Sequence, residues 1–196
     1  MASPHSPRLV LASASPRRLD LLNQIGVTPD LVMASNIDEA PRSGETPRAL
    51  AERLAREKAA ALAPAHPDAL VLAADTVVAV GRRILPKAED DAEVRACLRL
   101  LSGRSHRVYT GVAVAAPGER HASRLVETRL RFKRLDAFEI DAYVANREGL
   151  GKAGGYGIQG RAGAFVTSLQ GSYPAVVGLP LYETLNLLRG LGYQGA

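Results

Sequence analysis

Cysteine is almost missing from this chain: Cys97 stands alone. A disulfide framework is thereby excluded, and a reduced, cytoplasmic setting is expected. Cys97 falls inside an apolar helical pattern with no histidine beside it, so it is expected to be a small core residue and not a nucleophile. Tryptophan is absent, and aromatic side chains are limited to three Phe and six Tyr. That is too little stacking surface for a nucleic-acid platform, although the net charge is +5. The charge is spread along the chain, without a basic tail or helix. It favours an anionic partner, and a small phosphorylated ligand needs far less basic surface than a nucleic acid. No apolar run reaches the length of a membrane span. Met1 to Pro7 lacks the basic-then-apolar order of a secretory signal. Lysine is scarce too. The 25 basic residues include Lys58, Lys87, Lys133 and Lys152, and all the rest are arginine. Where a chain so biased keeps a lysine, a compact ammonium is one explanation.

What is present points to one globular domain over residues 1–196, with 46% hydrophobic residues and no repeats, linkers or low-complexity tracts. Leu9 to Ala12 reads as a strand, Ser13 to Arg18 as a tight loop, and Leu19 to Ile25 as a helix. Ser15 suits the N-cap and Pro16 the first helical position. Such a helix start offers backbone N–H groups and a positive dipole end to an anion, and two serines and two arginines add donors. An ordinary capped helix with surface arginines is the plainer alternative.

Leu31 to Ser35 is expected to be a strand, followed by a loop carrying Asp38 and Glu39. Thr46-Pro47 starts a helix that ends before Pro64, with Leu50, Leu54, Lys58 and Leu62 on one stripe. A lysine in line with three leucines either lays its stem on the core and reaches water, or points into a site. Ala69 to Val80 reads as a central strand covered on both faces. Asp75 interrupts it, so its carboxylate should be paired, metal-bound or at an open strand end. Asp90 or Asp91 caps a helix with Val94, Cys97, Leu98 and Leu101 on its apolar face. His106 to Ala115 is a further strand, and His106, with no metal-like partner at useful spacing, is structural or on the surface. Val126 to Phe132 alternates as a half-exposed antiparallel strand does. Asp136 and Glu139 form a capping box for a helix bearing Ile140, Tyr143 and Val144.

Gly151 to Gly163 contains a literal G-x-G-x-x-G at Gly155, Gly157 and Gly160. The dinucleotide reading is rejected, because Ala164 to Leu169 after it reads as a strand and not a helix. The stretch is either a flexible loop or a wall close to a flat ligand, where the Gln159 amide could read a base edge. A turn at Gly171 to Pro174 precedes a closing helix through Leu188. Helices alternate with strands early and antiparallel strands enter late. A mixed α/β fold with an elongated twisted sheet flanked by helices is expected. Carboxylates, lysines and a phosphate seat together suggest metal-assisted phosphoryl chemistry.

Several segments together resemble the Maf family of nucleoside triphosphate pyrophosphatases. They are Leu11-Ala-Ser-Ala-Ser-Pro-Arg-Arg18, Ala74-Asp-Thr-Val-Val78, Leu101-Ser-Gly103, Tyr109-Thr-Gly-Val112, Lys152-Ala-Gly-Gly-Tyr-Gly-Ile-Gln-Gly160 and Val177-Gly-Leu-Pro-Leu181. They follow the family's order across nearly the whole chain. The resemblance implies a central cleft in a fold similar to that of inosine triphosphate pyrophosphatases. It implies hydrolysis of a nucleoside triphosphate to the monophosphate and pyrophosphate, with a divalent metal, Mg²⁺ or Mn²⁺. It implies that Asp75 accepts a proton and that Ser15, Arg18, Glu39, Lys58 and Lys87 are polar site residues. Lys58 and Lys87 then join Asp75 in catalysis, Glu39 and Asp75 hold the metal, and Ser13, Ser15, Arg18 and Lys152 bind substrate. Arg17, Thr76 and Gln159 are similar to the branch acting on dTTP and UTP. The branch acting on 7-methyl-GTP tends to carry Trp, Gln and Glu there. That branch, and a non-catalytic nucleotide-binding septum-formation regulator, are the alternatives. Pro86-Lys87-Ala88 stands where the family usually has Gly-Lys-Pro. A homodimer is a family-level expectation.

Overall fold

The structure, a computed structural model, describes residues 7–195. The absence of a signal was read on Met1 to Pro7, which lies almost wholly outside these residues. Among the described residues no helix is long and apolar enough to cross a membrane.

One mixed sheet organises the chain. Its strands are β1 (Arg8–Ala12), β2 (Leu31–Met33), β3 (Ala69–Val80), β4 (Arg83–Leu85), β5 (Ser105–Ala116), β6 (Arg120–Phe132) and β7 (Val166–Gln170), in the order β2-β1-β3-β5-β6-β7 with β4 paired to β3. β1 is parallel to β2 and β3, while β3, β5, β6 and β7 are antiparallel in series. The helices are α1 (Pro16–Gln24), α2 (Pro47–Leu62), α3 (Asp91–Leu101), α4 (Ala137–Ala145), α5 (Tyr173–Val177) and α6 (Leu181–Gly190).

Local chemistry accounts for most boundaries. The Thr46 hydroxyl accepts from the Ala49 N–H at 3.2 Å, and Asp90 accepts from Glu93 N–H at 2.8 Å. Asp136 and Glu139 form the expected capping box. The buried faces of α3 and α4 are those read from spacing: Val94, Cys97, Leu98 and Leu101, and Ile140, Tyr143 and Val144. Two expectations are corrected. Ser15 occupies the N-cap position of α1, but its hydroxyl makes no cap bond; its own N–H instead donates to Ser13 Oγ at 3.1 Å. The strand expected from Ala164 starts at Val166, because Arg161–Phe165 winds into a 3₁₀ turn closed by Gly163 N–H on the Gly160 carbonyl at 2.9 Å.

The strand period of two splits β3 cleanly. Val71, Ala73, Val77 and Ala79 face α2, packed with Ala51, Ala55 and Ala59. Leu70, Leu72, Ala74 and Val78 face the larger core, with Leu21 and Leu22 of α1 and Leu187 and Leu188 of α6. Ala51, Ala55 and Ala59 of α2 and Ala73, Ala79 and Ala113 of the sheet let helix and sheet approach closely. Gly111 of β5 marks the tightest point: a Cβ there would lie 2.3 Å from the Ala51 carbonyl oxygen.

Candidate active site

The parallel strand β1 pairs with β3 only as far as Leu72, and β4 takes up the same edge of β3 only from Val78. Between them, no described strand covers Ala73 to Val77 on that edge. A cleft of about 500 Å³ opens there. It lies beyond the carboxyl end of a parallel strand, where open α/β sheets place their ligands. Ser13, Ser15, Arg17, Arg18, Glu39, Lys58, Asp75, Thr76, Lys87, Lys152 and Gln159 all line it, so every candidate site residue read from the sequence comes to one place.

Asp75 belongs to the α2 side of β3. It sits mid-strand opposite Gly111, without a bulge, and is 3% exposed. Its partner is Lys58, whose ammonium lies 2.6 Å from Asp75 Oδ1 and 2.6 Å from Glu39 Oε1. Lys58 is itself buried, so the choice left open by its helical stripe is decided: it points into the cleft. Lys87 closes the chain of charges on Glu39 Oε2. Burial acts to raise the Glu39 pKa, but the hydrogen bonds and charges of Lys58 and Lys87 outweigh it and hold the carboxyl down at about 2. Both carboxylates therefore converge on one ammonium.

The first loop forms the opposite wall. Arg18 donates from Nε to the Gly178 carbonyl at 2.9 Å and from Nη1 to Ser13 Oγ at 3.1 Å. Burial lowers the Arg18 pKa, and the charge of Asp75 opposes that shift; a guanidinium stays protonated regardless. Ser15 leaves the start of α1 without a side-chain cap. Pro16 has no N–H, and Arg18 N–H donates to the Ser15 carbonyl at 3.2 Å. The helix start therefore brings the Arg17 N–H and the positive dipole end to the cleft.

The glycine-rich stretch is the third wall. Gly154 N–H donates to the Pro86 carbonyl at 2.9 Å, Gly151 N–H to Ala88 at 2.8 Å, and Ala88 N–H to Lys152 at 3.2 Å. This ladder fixes Lys87 in place despite its unusual flanks, and the Ala88 N–H is a donor that a proline there would lack. Tyr143 accepts from Gly157 N–H at 3.0 Å. Lys152 donates to the Glu148 carbonyl, and burial and the nearby Arg17 lower its pKa. Gln159 lies exposed at the rim of the cleft. The literal G-x-G-x-x-G opens no α-helix, in keeping with its rejection as a dinucleotide motif.

Two residues that build the site, Glu148 in its lining and Arg53 behind it, escaped the sequence reading. Glu148 lines the cleft and accepts from Arg161 N–H at 2.8 Å, holding the glycine-rich wall from outside. Arg53 ties the Glu39 loop to α2 by bonds to Glu45 at 2.7 and 2.8 Å, to Glu57 at 2.8 Å and to the Ala40 carbonyl at 3.0 Å. No motif or spacing marks either one; an arginine four residues before a glutamate reads as a routine helix pair. His106 is structural: it is buried, with Nε2 2.8 Å from the Tyr156 hydroxyl and its ring edge-on to Phe132.

Comparison with known proteins identifies the family. The family described as Maf-like protein matches residues 8–191. A dTTP/UTP pyrophosphatase of Caulobacter vibrioides is 68% identical over 96% of this chain and 97% of its own. One of Maricaulis maris is 64% identical over 95% of this chain and 89% of its own. Among solved structures, the Ham1 protein of Staphylococcus aureus shares the fold at 18% identity and a TM-score of 0.51, over 93% of this chain and 96% of its own. With a match from β1 to the end of α6, this chain belongs to the Maf family.

Proposed function

We propose that the cleft hydrolyses dTTP and UTP to the monophosphate and pyrophosphate in a single domain spanning the chain. The observation that carries the reading is the convergence of the α1 start with its serines and arginines, a buried Asp75–Lys58 pair and a lysine-bearing glycine wall on one cleft. The relatives at 64 and 68% identity that bear the name dTTP/UTP pyrophosphatase support the choice of substrate.

Glu39 and Asp75 suit Mg²⁺ or Mn²⁺: they are hard oxygen donors that both reach one point, now taken by the Lys58 ammonium. Among the described residues no group of three or more His, Cys, Asp or Glu could hold a metal. The remaining ligands would come from phosphate oxygens and water, as Mg²⁺ in nucleotide sites commonly arranges. Bound there, the ion would offset phosphate charge and acidify a water.

Asp75 takes the proton of the attacking water. The water oxygen bonds to the α-phosphorus as the bridge to the β-phosphate breaks, and pyrophosphate leaves with the electron pair. Arg18, Lys87 and Lys152 offset the charge spread over the phosphates, and the α1 start with Ser13 and Ser15 fixes their position. Arg17, Thr76 and Gln159 face the nucleoside. The Gln159 amide can donate to O4 on the O4/N3 edge shared by thymine and uracil, whose N3–H is left to another acceptor. Cytosine reverses that edge, and a mismatched polar pair discriminates strongly.

The test is a panel of nucleoside triphosphates with Mg²⁺, Mn²⁺ or EDTA, with products identified. Metal-dependent pyrophosphate release from dTTP and UTP, well above that from CTP and 7-methyl-GTP, is expected. Binding without metal-dependent pyrophosphate would refute the enzyme reading. The same reading places the protein in the cytoplasm, as a homodimer without nucleic-acid or membrane partners; the buried, lone Cys97 is in keeping with a reducing compartment.

A further inference from the structure

Thr76 and Thr110 face each other across the β3–β5 ladder, on the side of the sheet away from α2. Thr76 lines the cleft, whereas Thr110 is fully buried. The Thr110 hydroxyl has two neighbours: the Ala175 carbonyl oxygen at 2.7 Å and Thr76 Oγ1 at 3.2 Å. A carbonyl oxygen can only accept, and a hydroxyl has one proton. The shorter bond therefore takes the Thr110 proton, and the bond to Thr76 has to be made with the Thr76 proton. Thr76 is left with lone pairs, and no proton, to present to the cleft.

We infer that Thr110 is a positioning residue that fixes Thr76 as a hydrogen-bond acceptor and so selects a pyrimidine carrying an N3–H. The proposal rests on the reading of the cleft as a pyrimidine triphosphate site and adds the group that sets its polarity. An acceptor cannot bind phosphate oxygens, which assigns Thr76 to the nucleoside and not to the triphosphate. In uracil and thymine, N3–H is the donor on the ring edge. Cytosine has a lone pair at N3, so Thr76 could bond it only by withdrawing its proton from the Thr110 oxygen and giving up that hydrogen bond.

Steady-state kcat/KM for UTP and CTP tests this in the wild type, Thr110→Val, Thr110→Ala and Thr110→Ser. Without the Thr110 hydroxyl, the Thr76 proton is released and can turn to cytosine N3. The UTP-to-CTP ratio should then fall about tenfold, the equivalent of one hydrogen bond, and Thr110→Ser should restore it. The fall should come mainly from a gain on CTP; a merely structural role would lower both substrates together and leave the ratio unchanged. A folded Thr110→Val or Thr110→Ala protein with the wild-type ratio would overturn the proposal. So would wild-type enzyme that hydrolyses N3-methyl-UTP as fast as UTP, a measurement that needs no variant to fold. Wild-type enzyme inert towards both dTTP and UTP would instead remove the substrate reading itself.

Discussion

Lys58 shows how much one side chain does here. Its ammonium is 2.6 Å from each of two carboxylates, and it and Asp75 are both buried. Removing one partner of a buried pair leaves an uncompensated charge, so Lys58→Met should cost about 3–5 kcal/mol in urea unfolding. Asp75→Asn should act differently. It leaves a neutral group of the same shape, and kcat should drop at least ~10²-fold, the lower range for a lost proton-transfer group. Near-normal turnover by folded Asp75→Asn would remove Asp75 from its role. His106 gives a pH signature. Burial lowers its pKa from 6.5 to about 4 in the folded protein, so the unfolded chain binds the proton first as pH falls. Stability from this group is full above about pH 6.5 and is lost on descent towards pH 4, by up to about 3 kcal/mol. Denaturation at stepped pH should show that slope, and His106→Leu should flatten it. At this scale the sequence was legible where a residue broke a pattern. Lys58 broke a leucine stripe, and Asp75 broke an apolar strand. Thr110 and Glu148 broke nothing: a threonine in a strand and a glutamate after a helix are ordinary until their partners, 65 and 13 residues away, are known.

Among the elements, α2 and its bed decide where the chemistry sits. The helix carries Lys58 on a buried face whose other residues include Leu50, Ala51, Leu54, Ala55 and Ala59. Gly111 lets it lie low enough to reach Asp75 on β3, since any side chain at Gly111 would strike the Ala51 carbonyl. Gly111→Ala should therefore destabilise the protein by about 1–3 kcal/mol, the usual cost of overpacking. It should also lower kcat by lifting Lys58 from Asp75. A denaturant midpoint and an activity assay on the same preparation check both. Three helices with side-chain caps could be read from sequence, because a cap is a contact within three residues; α5, capped by Ser172, lies where a turn was expected. Thr46, Asp90 and Asp136 all cap as expected. Ser15 does not, because Arg18 and Ser13 reorganise the loop around Gly178, 160 residues from Arg18. The 3₁₀ turn at Arg161–Phe165 escaped for a related reason: Ala and Phe beside Val continue a strand pattern in either conformation.

Over the whole molecule, strand order was the part that sequence could not supply. Alternation announced a mixed sheet, but nothing local says that β5 lies beside β3, or that β1 stops short at Leu72 while β3 runs on. If the chain is one domain, far- and near-ultraviolet circular dichroism should give coincident single unfolding transitions; separated transitions would divide it. The uncovered stretch of β3 from Ala73 to Val77 has one more consequence. The wall bearing β1 and α1 and the wall bearing β4 and the glycine loop are joined within the sheet by β3 and the two strands beyond it, β5 and β6. Within the sheet, mechanical load between the two walls passes through this three-strand ribbon. Its twist therefore sets the gauge of the cleft, and the sheet can open or tighten on a nucleotide only by flexing there, like a spring clip cut from a single strip.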